Sequence, residues 1–232
     1  MVELSEHQKG ELAYLIGAVI GDGCYTTPTE KYGSRFMFSS SDKEFVLKIK
    51  DIIKDIFSLS LNICIERLSL KNKNWRDHYD IKSRPLTRSL KLYLPDKNKI
   101  PSFIKDSNNF IKARFLSGFF DAEGGICIST IKSRNALDRR AYCHNSNLEL
   151  LKEIKIYLKE LDIDSFIQNG KGAYALNIWG YKNLVNFKNC IDFYIFRKRD
   201  KLLKAIYSYK LIHKKYRNIV VNTQKTLITG GT

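Results

Sequence analysis

The sequence lacks the residue patterns that mark several common classes of protein. Its five cysteines are scattered and odd in number, and none forms a Cys-x-x-Cys pair. This argues against a zinc knuckle and against a disulfide framework. The four histidines are equally dispersed. We therefore expect reduced, mostly buried thiols in an intracellular, cytoplasmic protein.

A long apolar run is also missing. No secretory signal is visible, and the longest apolar run, near residues 12–21, is too short to span a bilayer. Lysine and arginine together number 40 against 24 acidic residues, which gives a net charge of +16. A protein this basic usually meets a polyanion, and nucleic acid is the first candidate. A membrane surface is the alternative, but no basic amphipathic helix or lipidation signal supports it.

The chain is long enough for one large domain or two small ones, with 232 residues of which 44% are hydrophobic. Hydrophobic periodicity predicts the order helix, hairpin, helix, hairpin, helix twice. In the first half the helices are predicted over 9–22, 43–58 and 85–94, with strands over 24–31, 35–39, 61–70 and 75–82. In the second half the helices are predicted over 110–123, 148–161 and 181–191, and a last helix is predicted over 199–212. The strands of this half are predicted over 125–132, 139–145, 165–169 and 173–179.

This repeat predicts two subdomains. The first covers residues 1–105, and residues 95–101 form the candidate linker. The second covers residues 106–213. Residues 214–232 show no periodicity and form a tail of unassigned structure. Two αββαββα units fused in one chain would imitate a symmetric dimer.

Two matching stretches begin the two units. Leu12–Cys24 is apolar, has glycine at 17 and 21, and contains the acid Asp22 near its end. Phe115–Gly125 is its counterpart, and there Glu123 takes the place of Asp22, 101 residues later. Small residues four apart lie on one face of a helix, so two such helices can pack backbone to backbone. The predicted interface residues are Gly17, Gly21, Gly118 and Ala122.

Packing of the two helices would bring Asp22 and Glu123 together at two helix C-termini. The helix dipole disfavours negative charge there, and adjacent carboxylates repel unless a cation neutralises them. Hard divalent cations such as Mg²⁺ prefer oxygen ligands and leave positions for water and phosphate. Such a site suits phosphodiester hydrolysis. One apolar helix with a terminal acid is ordinary core packing, but two matched copies in a basic chain favour a functional site.

The stretches 15–23 and 116–124 resemble the two signature motifs of the LAGLIDADG homing endonucleases. The resemblance covers about residues 10–212. It implies an α+β fold in which two αββαββα units form a saddle of two four-stranded antiparallel sheets, with the motif helices at the interface. It also implies a site-specific endonuclease, active as a monomer, that cuts both strands of DNA across the minor groove at a long asymmetric target. Mg²⁺ or Mn²⁺ would be the cofactor, and the products would carry short 3′ overhangs.

The resemblance also assigns roles to residues. The eighth residue of each motif is the metal-binding acid, here Asp22 and Glu123, together with the backbone of Gly21 and Ala122. A polar residue late in the second strand of each half helps to position water, and the matching positions are Ser40 and Asn145. The family often has a lysine near the site. The candidates are Lys97 or Lys99 in the first half and Arg197, Lys198 or Arg199 in the second, with Lys97 and Lys198 preferred.

Contacts to DNA are expected from one face of each sheet. Arginine and glutamine can read base edges, whereas lysine more often binds phosphate. Strand alternation nominates twelve residues: Arg35, Arg67, Lys71, Lys73, Arg76, His78, Lys82, Lys132, Arg134, Arg139, Gln168 and Lys171.

Two other functions fit the same resemblance. An RNA maturase would bind intron RNA and assist splicing, and a regulator would bind DNA without catalysis. Acids at both 22 and 123 favour the enzyme, because a regulator has no evident need for paired carboxylates at the centre of its binding face.

Overall fold

The computed structural model describes residues 4–26, 34–69, 75–131, 136–170 and 172–212. Within these residues lie eight helices and eight strands. The helices are α1 (Glu6–Gly21), α2 (Lys43–Phe57), α3 (Arg84–Tyr93), α4 (Ser102–Lys105), α5 (Asn109–Glu123), α6 (Leu148–Glu160), α7 (Tyr181–Cys190) and α8 (Phe196–Ile212). The strands are β1 (Gly23–Tyr25), β2 (Phe36–Ser40), β3 (Ile63–Ser69), β4 (Trp75–Ser83), β5 (Gly124–Ile131), β6 (Ala136–Asn145), β7 (Phe166–Asn169) and β8 (Tyr174–Trp179).

The two halves of the chain form matching sheets. Both sheets have four antiparallel strands, in the orders β1-β2-β4-β3 and β5-β6-β8-β7. This confirms the predicted α+β fold with two pseudo-symmetric halves. The single-turn helix α4 was not predicted, and α8 begins three residues earlier than expected.

One face of each sheet packs on helices. In the first sheet, Phe36, Phe38 and Ile81 are fully buried beside Phe45 of α2. Successive side chains of a strand point to opposite faces, so Met37 and Lys82 lie on the other face, away from the core. The second sheet follows the same rule, with Ala141 and Ile178 on its buried face. We call the face away from the core the outer face of each sheet.

The helices α1 and α5 form the centre of the molecule. Every residue of α1 from Gly10 to Ile20 is buried, so this part of the helix has no solvent-facing side. An apolar helix without a polar stripe is stable only when it is enclosed. Ser5 and Gln8 cap its N-terminus reciprocally.

The small residues allow the two helix backbones to touch. A Cβ atom added at Gly17 would lie 2.1 Å from the carbonyl oxygen of Phe115, and one added at Gly118 would lie 2.0 Å from that of Tyr14. Both distances are far inside van der Waals contact, so any side chain there would force the helices apart. The helices run side by side in the same direction, and their C-termini meet where Gly21 faces Ala122.

The prediction of mostly buried cysteines was wrong. Cys143 is buried, but Cys24, Cys64 and Cys190 are exposed. Strand alternation explains Cys24 and Cys64, because both lie on the outer face of the first sheet. Among the described residues, no helix is both long enough and apolar enough to cross a membrane.

A Gly17→Ala substitution should lower the free energy of unfolding by about 2 kcal/mol or more, the range for overpacking a close contact. Gly10→Ala is the matched control in the same helix. Its added Cβ would meet mainly the ring of Phe110, which is partly exposed and can turn aside. Urea unfolding of both variants checks this. Equal stabilities for the two variants would contradict the backbone contact.

Candidate active site

Two carboxylates meet where the central helices end. Asp22 follows the last residue of α1, and Glu123 is the last residue of α5. A Cβ atom at Gly21 would lie 3.0 Å from Cγ of Glu123, so the backbone of one motif touches the acid of the other. The closeness of the acids therefore follows from the glycine packing below them.

Burial raises the pKa of both acids. For Asp22, burial acts first and the charges of Lys198 and Lys97 oppose it. For Glu123, burial is followed by repulsion from Asp22, again opposed by Lys97 and Lys198. The site thus holds two neighbouring carboxylates that resist carrying charge together.

Two lysines bracket the carboxylates. Lys97, in the loop between α3 and α4, donates through Nζ to the carbonyl oxygens of Gly21 and Gly23. Lys198, in the first turn of α8, donates to the carbonyl oxygens of Phe120 and Asp121. Each lysine therefore binds carbonyl groups at the C-terminal end of one motif helix, where most of these groups lack helical partners. The side chain of Lys198 is almost enclosed, and burial lowers its pKa.

The structure separates these lysines from the other candidates. Lys99 is exposed and pairs with Asp96, and Arg199 pairs with Asp192. Arg197 donates through two nitrogens to Asp42, at 2.6 Å each. A signal in the sequence points to the same choice, because Lys97 and Lys198 are 101 residues apart, as are Asp22 and Glu123.

Ser40 and Asn145 occupy equivalent positions at the ends of β2 and β6. The Ser40 hydroxyl accepts from the backbone N–H of Asp42, at 3.2 Å, and Asn145 Oδ1 accepts from that of Asn147, at 2.9 Å. Both side chains thus shape the turn before a helix. No described contact joins either one to the carboxylates, so their role in positioning water stays a prediction.

Asp121 is a buried acid beneath the site that the sequence reasoning missed. It is 1% exposed and accepts from Tyr14 Oη at 2.7 Å and from the backbone N–H groups of Tyr194 and Ile195. Burial raises its pKa to about 6, against the opposing effect of these hydrogen bonds. Asp121 ties α1 to the segment that precedes Lys198. The first motif has Ile20 at the matching position, so no repeated pattern marked it.

The chemistry of the donors fits a hard divalent cation. Asp22 and Glu123 offer carboxylate oxygens, which Mg²⁺ and Mn²⁺ accept, and a cation would relieve their repulsion. Within the described residues, no group of three or more His, Cys, Asp or Glu side chains could hold a metal. The oxygen ligands available to a metal ion at this site are thus the two carboxylates and neighbouring backbone carbonyl groups. One of these is the carbonyl of Gly21, which Lys97 also contacts.

The outer face of the first sheet carries part of the predicted nucleic-acid surface. His78 and Lys82 lie on this face, and the charge of His78 reaches Asp22. Arg35 directly precedes β2 in the same alternation. Lys82 is bound to Glu66 at 3.0 Å and to Asp80 at 3.2 Å, so its charge is largely neutralised within the sheet.

The strand register shows that Arg67 lies on the face of the first sheet opposite to that of His78. Arg67 pairs with Asp77, at 3.3 Å, whereas Glu66 pairs with His78. Its assignment to the surface shared with His78 was therefore wrong, since a shift of one residue along a strand changes the face.

Arg139 was also assigned to the wrong face. It is buried on the helix side of the second sheet, donates to Ser208 Oγ at 2.6 Å and stacks on the ring of Tyr209. Its neighbour Arg140 lies on the outer face and was missed. Arg140 donates to Asp138 at 2.6 Å, and the indole N–H of Trp179 donates to the same carboxylate at 3.1 Å.

The other residues predicted to bind DNA lie on the second sheet, in β4 or outside the described residues. Gln168 lies on the outer face of the second sheet and accepts from Asn177 at 3.3 Å. Arg76 lies in β4, but its side chain is outside the described part of the structure. Five more lie outside the described residues: Lys71, Lys73, Lys132, Arg134 and Lys171.

The chain matches known proteins in sequence. The family model for the LAGLIDADG-like domain matches residues 110–192. An uncharacterized protein of Methanocaldococcus jannaschii is 29% identical over 218 residues, which cover 85% of this chain and 72% of that protein. The chain also matches the probable translation initiation factor IF-2 and the tRNA-splicing ligase RtcB of that organism, at 27% and 23% identity. It spans only 16% and 26% of their lengths, although these matches cover 83% and 96% of this chain.

Solved structures share the fold. The homing endonuclease I-DmoI, in complex with DNA and Ca, has a TM-score of 0.59 at 20% identity, covering 86% of this chain and 100% of that one. The homing endonuclease I-WcaI, bound to its DNA recognition sequence, has a TM-score of 0.61 at 15% identity, covering 87% and 88%.

The hydrogen bond between Tyr14 and Asp121 can be tested by a double-mutant cycle. Tyr14→Phe should lower the free energy of unfolding by about 1.5–3 kcal/mol, the range for a hydrogen bond to a charged group. In an Asp121→Asn background the same substitution should cost clearly less, because the partner has changed. Urea unfolding at pH 8 gives all four values. Additive effects would show that the two side chains do not depend on each other.

Proposed function

This chain is a member of the LAGLIDADG family, and from that membership we propose that it is a site-specific DNA endonuclease. In this proposal it uses a divalent metal ion to cut both strands of a long asymmetric target across the minor groove, leaving short 3′ overhangs. One chain supplies both halves of the site, so it acts as a monomer.

The observation that carries the proposal is the pairing of Asp22 with Glu123 between Lys97 and Lys198. A protein that only bound nucleic acid would gain nothing from two neighbouring carboxylates with raised pKa values where its central helices end. Such a pair lowers the stability of the fold, and perturbed carboxylates of this kind cluster at catalytic sites.

Each residue has a distinct task in the proposed reaction. Asp22 and Glu123 would hold the metal, which when bound supplies activation of water and stabilisation of the leaving oxygen. Lys97 and Lys198 keep positive charge beside the carboxylates and are held in place through motif carbonyls. From there they offset negative charge that develops at the phosphate.

The two halves of the site are chemically unequal. The first motif ends in Asp22 and its carbonyl groups bind a lysine on a loop, whereas the second ends in the longer Glu123 and its carbonyl groups bind a lysine on a helix. This inequality fits a target whose two strands differ in sequence.

The nature of the substrate follows from charge and shape. The net charge of +16 favours a polyanion. I-DmoI and I-WcaI, which share the fold, have been solved with DNA. In this proposal the duplex lies against the outer faces, which carry the ion-paired cations Lys82 and Arg140. A cation already neutralised by a carboxylate is a weak phosphate ligand, so these two residues suit contacts to base edges.

The distribution of relatives supports a function separate from theirs. The matched segment is a small part of proteins named for translation and for tRNA splicing. These activities have nothing in common, and the segment occupies 16% and 26% of the two proteins. We infer a module carried inside unrelated proteins, as expected for an endonuclease that spreads its own coding sequence.

Asp22→Asn and Glu123→Gln test the metal site. Each should slow double-strand cleavage by about 10²-fold or more, as when one group that stabilises transition-state charge is lost. The substrate is a duplex selected by wild-type cleavage from a randomised library. DNA binding should survive, and the melting temperature should stay equal or rise, because an amide removes a charge that burial disfavours, and in Asp22→Asn also the repulsion that raises the pKa of Glu123.

A second readout separates metal binding from activity. Mn²⁺ should raise the melting temperature of the wild-type protein but not that of the double variant. Undiminished cleavage in either single variant would refute the assignment of the acids.

Arg140→Ala tests base recognition. Because Asp138 and Trp179 hold the guanidinium on the outer face, we expect a contact to guanine, and its loss should cost about 1–3 kcal/mol of discrimination at one base pair. Binding of single-base variants of the selected duplex gives this value. Arg139→Ala is the control, because Arg139 lies on the buried face and should change stability without relaxing specificity.

A further inference from the structure

The lysine of the second half is held by residues of the first. Arg197, next to Lys198, donates through Nε and a terminal nitrogen to the two oxygens of Asp42 at the start of α2, at 2.6 Å each. The backbone N–H of Phe196, the first residue of α8, donates to Glu44 at 2.8 Å. The first N–H groups of a helix have no helical acceptor, so Glu44 satisfies one of them from the opposite half.

The side chain of Asp42 binds Arg197 of α8 and does not cap its own helix, α2. It occupies the N-cap position of α2, yet it makes no side-chain capping hydrogen bond there. A two-point contact between carboxylate and guanidinium fixes orientation as well as distance. Because Arg197 and Lys198 are neighbours in one helical turn, the position of Asp42 sets the direction from which Lys198 approaches α5.

The opposite half makes the reciprocal contact. Asn147 occupies the matching position at the start of α6, and its Nδ2 donates to the carbonyl oxygen of Asn98 at 2.8 Å. Asn98 is next to Lys97. Unlike Asp42, Asn147 also caps its own helix, because its Oδ1 accepts from the backbone N–H of Leu150 at 3.1 Å. The loop of Lys97 is thus held from the other half by one neutral hydrogen bond.

We propose that Asp42 and Asn147 are positioning residues that each place the lysine of the opposite half, Lys198 and Lys97 respectively. This inference rests on the proposed endonuclease function. It follows that each strand of the target is cut at its own site, and that a change at one site can leave the other unaffected. Lys198 is held more firmly than Lys97, because residue 42 is a charged carboxylate and residue 147 is a neutral amide.

Strand-resolved cleavage tests the proposal. The selected duplex carries a different fluorophore on each strand, and single-turnover rates are measured for both. Lys198→Met and Lys97→Met first show which strand depends on which lysine. Asp42→Ala should then slow the same strand as Lys198→Met by about 10- to 100-fold, the effect of misplacing a reacting group. Asn147→Ala should slow the strand of Lys97→Met, and by less.

The two alanine variants control each other, because they occupy equivalent positions. Asp42→Glu keeps the carboxylate and should retain more activity than Asp42→Ala. Equal slowing of both strands by Asp42→Ala, or slowing of the strand that depends on Lys97, would overturn the proposal.

A readout without DNA separates this inference from the proposed function. Lys198 is 7% exposed and should react slowly with acetic anhydride. In Asp42→Ala its acetylation, measured by mass spectrometry on the folded protein, should rise several-fold while that of Lys97 stays unchanged. If the wild-type protein cuts neither strand, the endonuclease function fails, and unchanged Lys198 reactivity would then overturn the positioning role on its own.

Discussion

The close packing of α1 against α5 is the contact on which the rest of the structure depends. Gly17 and Gly118 let the two backbones touch, and any larger residue would meet a carbonyl oxygen of the other helix. Because the helices run in the same direction, this contact brings two C-termini together. The acids, the carbonyl groups that bind the lysines and the two sheets are all placed by that one packing arrangement.

The same contact also brings two acidic side chains to a position where negative charge is disfavoured. Helix C-termini disfavour negative charge, yet Asp22 and Glu123 are both there and partly buried. Lys97 and Lys198 compensate in part, and a divalent cation would complete the balance. The lysines come from segments remote from the motifs, and each is steadied by a helix of the opposite half. Neither half therefore completes its own site.

Much of the fold could be predicted because it is repeated. The period of 3.6 in α2 and α6, the hairpin signals and the two motifs each appear twice, so each half supported the interpretation of the other. The face of a strand residue was less certain. Strand alternation nominated Arg67 and Arg139, but pairing with β4 and packing under α8 placed them on the other face. Register depends on the neighbouring strand, which local sequence does not specify.

By itself, the sequence determined which helices pair and which acids end them, because small residues four apart and a terminal acid are local patterns. The sequence already favoured Lys97 and Lys198, and the tertiary structure added the contacts that separate them from Lys99, Arg197 and Arg199. It also revealed Asp121 beneath the site and Asp42 across it. These choices depend on contacts between residues 73 to 155 positions apart in the chain. Such contacts form only when distant segments pack, within one half or, for Arg197 and Asp42, between the two, so no local pattern records them.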